Sequence, residues 1–215
     1  MARGKLITFE GGEGSGKSTQ AKKLFEHLVR NDIPAIHTRE PGGTEEAEKI
    51  RSILVTGSQN KISPLTEVFL HSAARIEHLN KVILPAIAEG KIVVCDRFFD
   101  STVAYQGYGH GVSLKTIEAI NKIVAGDFQP DLTFIFDIDA KSGLARSTKR
   151  HGIEKSDENR YENIELAFHK RLRNGFLAIA GKENRCVVLN AEEDIETLHK
   201  EVVELVEKKL MADGQ

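Results

Sequence analysis

Residues 11–19 carry a run of glycines followed by a lysine and two hydroxyl side chains. The first eight match the pattern G-x-x-x-x-G-K-[ST] in full, and the stretch comprises Gly11, Gly12, Glu13, Gly14, Ser15, Gly16, Lys17, Ser18 and Thr19. Glycines let the backbone wrap around an anion and point its N–H groups inward. In such loops the lysine reaches the β- and γ-phosphates, and the first hydroxyl ligates Mg²⁺. The pattern predicts a site for a nucleoside triphosphate.

The segments on either side of this loop supply the context that phosphate binding requires. Residues 5–10 form a short apolar strand. Apolar residues after the loop recur on one face of a helix, and they are Ala21, Leu24, Phe25, Leu28 and Val29. A helix that begins directly after the loop adds the positive end of its dipole to the phosphate site. Strand, glycine loop and helix therefore occur in the order that the mechanism needs.

Apolar runs and helical patterns alternate along the rest of the chain. Further strands are predicted at residues 33–38, 91–96, 132–137 and 186–189, and helices at residues 63–89, 113–125 and 194–210. Pro85 is expected to kink or break the first of these helices. Continuous apolar strands are typical of a parallel sheet buried on both faces. The pattern predicts an α/β fold with right-handed crossovers, organised as one domain over residues 1–215.

The composition limits the classes of function. A net charge of −2 and a sequence pI of about 6.5 make nucleic acid an unexpected partner. No run approaches the roughly 18 apolar residues of a membrane span, and no secretory signal precedes the first strand, so we expect no membrane association and a cytoplasmic location. Cys95 and Cys186 have no metal-binding spacing, and we expect both to be free thiols buried in strands.

Charged side chains follow the predicted strands, at the edge where α/β sheets bind ligands. Asp96 and Arg97 end the third strand, and the run Arg-Glu-Pro-Gly-Gly-Thr at residues 39–44 follows the second. A strand-end Asp can hold Mg²⁺, directly or through water. Asp137 also ends a strand, but Asp96 is the better candidate because a cation follows it.

Three further stretches could contact a ligand. His71 and Arg75 are four residues apart and share a helical face, and residues 101–109 form a glycine-rich segment suited to a flat ligand. Residues 141–161 read as a basic, mobile excursion, with a solvated helix face as the alternative. Its cations are Lys141, Arg146, Lys149, Arg150, Lys155 and Arg160.

Residues 9–18, 38–44, 73–75, 96–97 and 104–107, taken together and in this order, resemble the thymidylate kinase family. The similarity covers nearly the whole chain. The combination of Arg-Glu-Pro-Gly-Gly-Thr with Asp-Arg and Tyr-Gln-Gly is far more specific than the phosphate loop alone. The resemblance implies a three-layer P-loop NTPase fold, the reaction ATP + dTMP → ADP + dTDP, and a homodimer formed through packed helices near residues 64–89.

The resemblance also implies which residues serve ATP and catalysis. ATP would lie on residues 11–19, with its adenine stacked on Arg146. Mg²⁺ would lie at Ser18 and Asp96. The groups acting on the transferred phosphoryl would be Lys17, Arg97, Asp96 and, from a lid at about residues 141–161, Arg150.

The acceptor nucleotide would have its own contacts. Glu13 would accept a hydrogen bond from the 3′-OH, and Tyr105 would crowd the sugar 2′ carbon. Arg51 and Arg97 would grip the phosphate, with Arg39 a weaker candidate. The thymine edge would meet Arg75 and Gln106, and the remaining predicted contacts are Pro41, His71, Ser101 and Thr102.

Two positions depart from the family pattern. His71 stands where a phenylalanine usually stacks on thymine, which affects base affinity and its pH dependence. Gly14 stands where some members carry a catalytic arginine, and members without that arginine have basic lids, as this chain does. The alternatives are a kinase acting on dUMP, dCMP or AMP, a GTPase, and a non-catalytic ATP-binding module. Residues 121–124 read Asn-Lys-Ile-Val and lack the aspartate of a guanine-binding signature.

Overall fold

A five-stranded parallel sheet forms the centre of the computed structural model, which describes residues 3–56, 62–154, 161 and 164–211. The strands are β1 (Lys5–Gly11), β2 (Ala35–Arg39), β3 (Ile92–Asp96), β4 (Leu132–Asp137) and β5 (Cys186–Asn190), in the spatial order β2-β3-β1-β4-β5. The three inner strands are buried on both faces, which explains their continuous apolar sequence. The predicted α/β class and five-stranded parallel sheet are confirmed.

Helices cover both faces of the sheet. They are α1 (Lys17–Arg30), α2 (Glu45–Val55), α3 (Pro64–His78), α4 (Leu84–Ala88), α5 (Phe99–Thr102), α6 (Leu114–Ala125), α7 (Ala140–Glu154), α8 (Leu166–Ala180) and α9 (Ile195–Val206), with π-helical segments at Leu79–Ile83, Val103–Gly109 and Glu207–Met211. On one face, Ile7 and Phe9 of β1 pack with α1 and α9. On the other face, Leu6 packs with the segment before α4 and with Phe98. The result is three layers of helix, sheet and helix.

The carboxyl ends of the parallel strands lie along one edge of the sheet, and this edge positions the charged residues of the candidate site. Asp96, the last residue of β3, is in register with Phe9 of β1 and with Arg39 of β2. Because the strands are parallel, the phosphate loop after β1 and the Arg97 turn after β3 leave the sheet side by side.

Two strands differ from their predictions. β2 begins at Ala35 rather than at residue 33, because the Ile33 N–H still donates to the Leu28 carbonyl at 3.0 Å and Pro34 has no N–H for the ladder. Cys95 is buried as predicted, whereas Cys186 is partly exposed because β5 lies at the sheet edge; both thiols are free.

The predicted helix over residues 63–89 is interrupted, as expected near Pro85. Ser63 caps α3 by accepting from the Thr66 N–H, and a π-helical segment then separates α3 from α4. Pro85 is the second residue of α4, so the change to π-helical geometry falls in the turn before it.

The basic stretch at residues 141–161 is helical up to Glu154, because α7 runs through most of it. That this helix is a mobile excursion stays a prediction. Lys155 and Arg160 lie outside the described residues, and the lid and the single domain over residues 1–215 stay predictions. In the described ranges, no helix combines the length and apolar character needed to cross a membrane.

Candidate active site

The helix that follows the phosphate loop begins without a side chain that caps its N–H groups or balances the positive end of its dipole. Gly16 has a φ of +86°, which favours glycine, and α1 begins at Lys17 with no side-chain cap and no acidic residue in its first turn. The Lys17 side chain is buried, and its Nζ atom donates to the Gly12 carbonyl at 3.2 Å. The Ser15 Oγ atom is buried without a hydrogen-bond partner in the described chain. Uncapped N–H groups, a cation and an unpaired hydroxyl suit an anionic ligand.

Glu13, Arg97 and Tyr105 form a triangle of hydrogen bonds at the mouth of this loop. Arg97 Nη2 donates to Glu13 Oε1 at 3.2 Å and to Tyr105 Oη at 3.0 Å, and the Tyr105 hydroxyl donates to Glu13. Burial alone would raise the pKa of Glu13, but Arg97, Lys17 and the Tyr105 bond lower it to about 2. Burial raises the pKa of Tyr105 well above its usual value. The glutamate is therefore an anion and the tyrosine a donor at neutral pH.

A strained turn delivers Arg97 to this position. Its φ of +68° is rare for a residue with a side chain, and its N–H donates to the Phe9 carbonyl at 2.9 Å. The Nη1 atom donates to the Gly11 carbonyl at 3.0 Å and to Ser101 Oγ at 3.1 Å. These contacts attach the guanidinium to the phosphate loop and to α5 at once.

Glu10, near the carboxyl end of β1, holds the same turn in place. Its carboxylate accepts from the Phe98 N–H at 2.8 Å, from the Ser101 N–H at 3.3 Å and from Ser101 Oγ at 2.6 Å. Burial, and then the nearby Asp100 carboxylate, raise the pKa of Glu10 to about 8, although Ser101 and Arg97 oppose the shift. Glu10 therefore holds β1 to the segment that carries Arg97.

A cavity lined by fourteen described residues opens beside the phosphate loop. Ten predicted acceptor residues line it: Glu13, Pro41, Arg51, His71, Arg75, Arg97, Ser101, Thr102, Tyr105 and Gln106. Four lining residues were not predicted: Glu40, Val55, Phe98 and Tyr161. Glu40 and Phe98 adjoin predicted residues and could have been found from their neighbours; Val55 and Tyr161 carried no signal.

Arg75 and Gln106 each give the cavity lining a buried polar atom that has no hydrogen-bond partner within the part of the chain that the structure describes. Arg75 donates through Nε to Glu40 at 2.7 Å and through Nη2 to Thr102 at 3.2 Å, and its guanidinium lies 5.3 Å from the centre of the Phe98 ring. Arg75 Nη1 and Gln106 Oε1 have no hydrogen-bond partner among the described residues. A donor and an acceptor are therefore both available to a ligand here.

One predicted acceptor residue, Arg39, is not part of the described cavity lining. Arg39 Nη2 lies 3.0 Å and 3.1 Å from the two carboxylate oxygens of Glu48 instead. Arg146 donates to the Ala191 carbonyl at 2.7 Å, beyond the end of β5. Arg150 belongs to α7, but its side chain lies outside the described residues.

The predicted metal residues fit an ion that arrives with its nucleotide. Asp96 Oδ1 is buried without a hydrogen-bond partner in the described ranges, and Ser18 is exposed at the start of α1. The described residues contain no cluster of three His, Cys, Asp or Glu side chains that could hold a metal by themselves. Mg²⁺ commonly uses one or two protein oxygens together with phosphate oxygens and water.

Several known proteins with similar sequences, and one with a similar solved structure, are thymidylate kinases. The family model described as thymidylate kinase matches residues 9–202. The chain is 45% identical over 211 residues to the thymidylate kinase of Desulforapulum autotrophicum (97% of this chain, 93% of the relative) and 46% identical over 209 residues to that of Wolbachia pipientis wMel (94% and 99%). A crystal structure of thymidylate kinase from Ehrlichia chaffeensis is 37% identical, with a TM-score of 0.75, and the match covers 96% of this chain and 99% of that one.

The raised pKa of Glu10 predicts how stability depends on pH. Between pH 4.5 and 8 the unfolded chain has released the Glu10 proton while the folded chain keeps it, so the free energy of unfolding falls as pH rises. Glu10→Gln should remove a decline on the order of 3 kcal/mol between pH 5 and pH 8. Urea unfolding at four pH values measures it. Glu26→Gln, at an exposed position on α1, is the control, and parallel pH curves for wild type and Glu10→Gln would contradict the shift.

Proposed function

Since the chain belongs to the thymidylate kinase family, we propose that it transfers the γ-phosphoryl group of ATP to dTMP and releases ADP and dTDP. The observation that carries the proposal is the position of the cavity. It opens directly beside the phosphate loop, and Glu13 and Arg97 line it at that junction. A nucleotide bound there would place its phosphate next to the γ-phosphate of ATP, as in-line transfer requires.

The cavity has side chains suited to each part of a deoxynucleoside monophosphate: the phosphate, the sugar and the base. Arg51 and Arg97 supply guanidinium forks for the acceptor phosphate. Glu13, held as an anion, would accept from the 3′-OH, and the Tyr105 ring would occupy the space of a 2′-OH. The unpaired Arg75 Nη1 and Gln106 Oε1 would hydrogen-bond the edge of the base. His71, with Pro41, Ser101 and Thr102, lines the same cavity and would pack around the nucleotide.

Catalysis would consist of alignment and charge neutralisation. The second pKa of a phosphate monoester is near 6, so dTMP is already largely a dianion at neutral pH and needs no strong general base. Lys17 and the N–H groups at the start of α1 would hold the β- and γ-phosphates of ATP. Arg97 would bring the acceptor phosphate close to the γ-phosphate. Ser18 and Asp96 would hold Mg²⁺, which when bound neutralises phosphate charge. The Arg146 guanidinium would stack on adenine, and Arg150 would reach the phosphoryl group from a lid.

A substrate panel tests this function directly. We expect coupled ADP release with dTMP to exceed that with dUMP, dCMP, AMP and GMP, and dUMP to be second because it lacks only a methyl group, which is worth about 10- to 200-fold in kcat/KM. Lys17→Ala should abolish turnover. Absence of a dTMP preference would leave a kinase of another specificity, a preference for GTP as donor would favour a GTPase-like site, and no turnover would favour an ATP-binding module.

Arg97→Lys should lower kcat/KM for dTMP by about tenfold or more, because a lysine cannot reproduce the fork that contacts Glu13 and Tyr105 and would also contact the phosphate. Steady-state kinetics at saturating ATP measure the loss. Arg30→Lys makes the same exchange on the exposed surface of α1 and should change nothing. Equal kcat/KM values for the Arg97 variant and wild type would remove Arg97 from the mechanism.

We also propose that the chain forms a homodimer through the outer face of α3. Leu65, Phe69 and Ile76 lie on one side of this helix, and Phe69 is 56% exposed. Ile53, on the neighbouring α2, is also exposed. A contiguous apolar surface of this kind suits a second copy of the chain. A cytoplasmic location stays a prediction from the sequence.

Phe69→Glu should weaken this association by about 100-fold or more, because it would bury a charge in the interface. Sedimentation velocity over a concentration series measures the dimer fraction. Val29→Glu places the same charge on an exposed apolar position of α1, across the sheet, and should leave the dimer intact. A dimer that survives Phe69→Glu would show that another surface forms the interface.

A further inference from the structure

Glu67 is a buried carboxylate that does not line the cavity. Its residue is 1% exposed, and it lies on α3 four and eight residues before His71 and Arg75, which both line the cavity. The spacing puts all three side chains on one face of the helix. A carboxylate is costly to bury unless hydrogen bonds satisfy it. Its partners therefore indicate what it does.

Two donors converge on one oxygen of this carboxylate. Gln106 Nε2 donates to Glu67 Oε2 at 2.9 Å, and the Tyr161 hydroxyl donates to the same oxygen at 3.2 Å. An ionised carboxylate only accepts hydrogen bonds, so the amide of Gln106 must turn its NH₂ group toward Glu67. The other amide atom, Oε1, is then the group left without a partner in the described chain.

Gln106 and Arg75 consequently present a fixed pair of groups to a ligand. Gln106 Oε1 is an acceptor and Arg75 Nη1 is a donor, and both are buried. The imide edge of thymine or uracil offers the complement, an N3–H donor beside the O4 acceptor. Cytosine reverses both groups, because its N3 accepts and its 4-amino group donates. A cytosine base would set acceptor against acceptor and donor against donor.

We propose that Glu67 is a positioning residue that fixes the orientation of the Gln106 amide, and that this orientation makes the pocket select imide bases over cytosine. The proposal rests on the proposed function and adds the source of its base selectivity. Tyr161 strengthens the arrangement, because its hydroxyl occupies the same oxygen while its ring packs edge-on against Tyr105, 5.2 Å between centres. A neutral amide at position 67 would instead satisfy Gln106 in either orientation.

Glu67→Gln tests this with little change in shape. The Gln106 amide could then turn either way, so one of the two mismatches with cytosine disappears. We expect the ratio of kcat/KM for dTMP to that for dCMP to fall by about tenfold or more, chiefly through KM, because burying unpaired polar groups is what rejects the wrong base. The kcat for dTMP should stay within about threefold of wild type.

Glu77→Gln is the matched control. Glu77 lies on α3, as Glu67 does, but its carboxylate forms an exposed ion pair with Lys81, so the variant removes the same charge away from the cavity. Thermal melting establishes that each variant is folded. Should Glu67→Gln melt far below wild type, Glu67→Met removes the carboxylate with an apolar side chain of similar length and should give the same fall in the ratio.

Two results would overturn the inference: the first leaves the proposed function intact, and the second overturns that function as well. Equal losses for dTMP and dCMP in a folded Glu67 variant, with the ratio unchanged, would make Glu67 a packing residue and leave the proposed function intact. A wild-type enzyme that does not prefer dTMP over dCMP would overturn the proposed function itself, and the inference with it.

Discussion

The pairing of Glu13 with Arg97 is the interaction on which the site depends. It joins the phosphate loop after β1 to the turn after β3, and so connects the expected ATP half of the site to the acceptor half. A carboxylate in a phosphate loop would repel phosphate if it stood alone. Arg97 compensates that charge, and the Tyr105 hydroxyl fixes the direction of both groups. Since a buried pair of this kind gains little net stability, its value lies in the geometry that it imposes.

The same principle recurs around the cavity, where three further buried carboxyl groups hold neighbouring residues in place. Glu10 holds the Arg97 turn through two backbone N–H groups and Ser101. Glu40 lies 2.7 Å from Arg75 Nε and 3.1 Å from the His78 ring, and so fixes the orientation of the Arg75 guanidinium. Glu67 orients an amide. These carboxyl groups restrict the side chains around the cavity to one arrangement, so that binding costs less reorganisation.

The sequence predicted the sheet and the phosphate loop, because local patterns determine them: apolar runs and a glycine pattern. Most of the residues that line the cavity were predicted through the resemblance to the thymidylate kinase family. The sequence did not predict contacts that depend on distant partners. Arg39 ends β2 at the right edge but pairs with Glu48 on α2. Glu67 reads as an ordinary polar position of a helix, since its partners Gln106 and Tyr161 are remote in sequence. The start of β2 and the helical course of α7 were missed because hydrogen bonds at a helix end and tertiary packing outweigh a short apolar or basic run.

Because Gly14 has no side chain, α7 can lie directly against the phosphate loop. Gly14 has a φ of +66°, and a Cβ atom there would overlap the carbonyl oxygen of Gly143 on α7. A Cβ on Gly143 would in turn lie 2.5 Å from the carbonyl oxygen of Glu13. The two backbones therefore touch, and in this arrangement no side chain, and so no arginine, can stand at position 14. The proposed mechanism therefore takes that positive charge from outside the loop, and the element that excludes a side chain at position 14 is α7, the helix that carries Arg150. Because α7 rests on the loop through backbone atoms, a movement of that helix cannot leave the phosphate site unchanged.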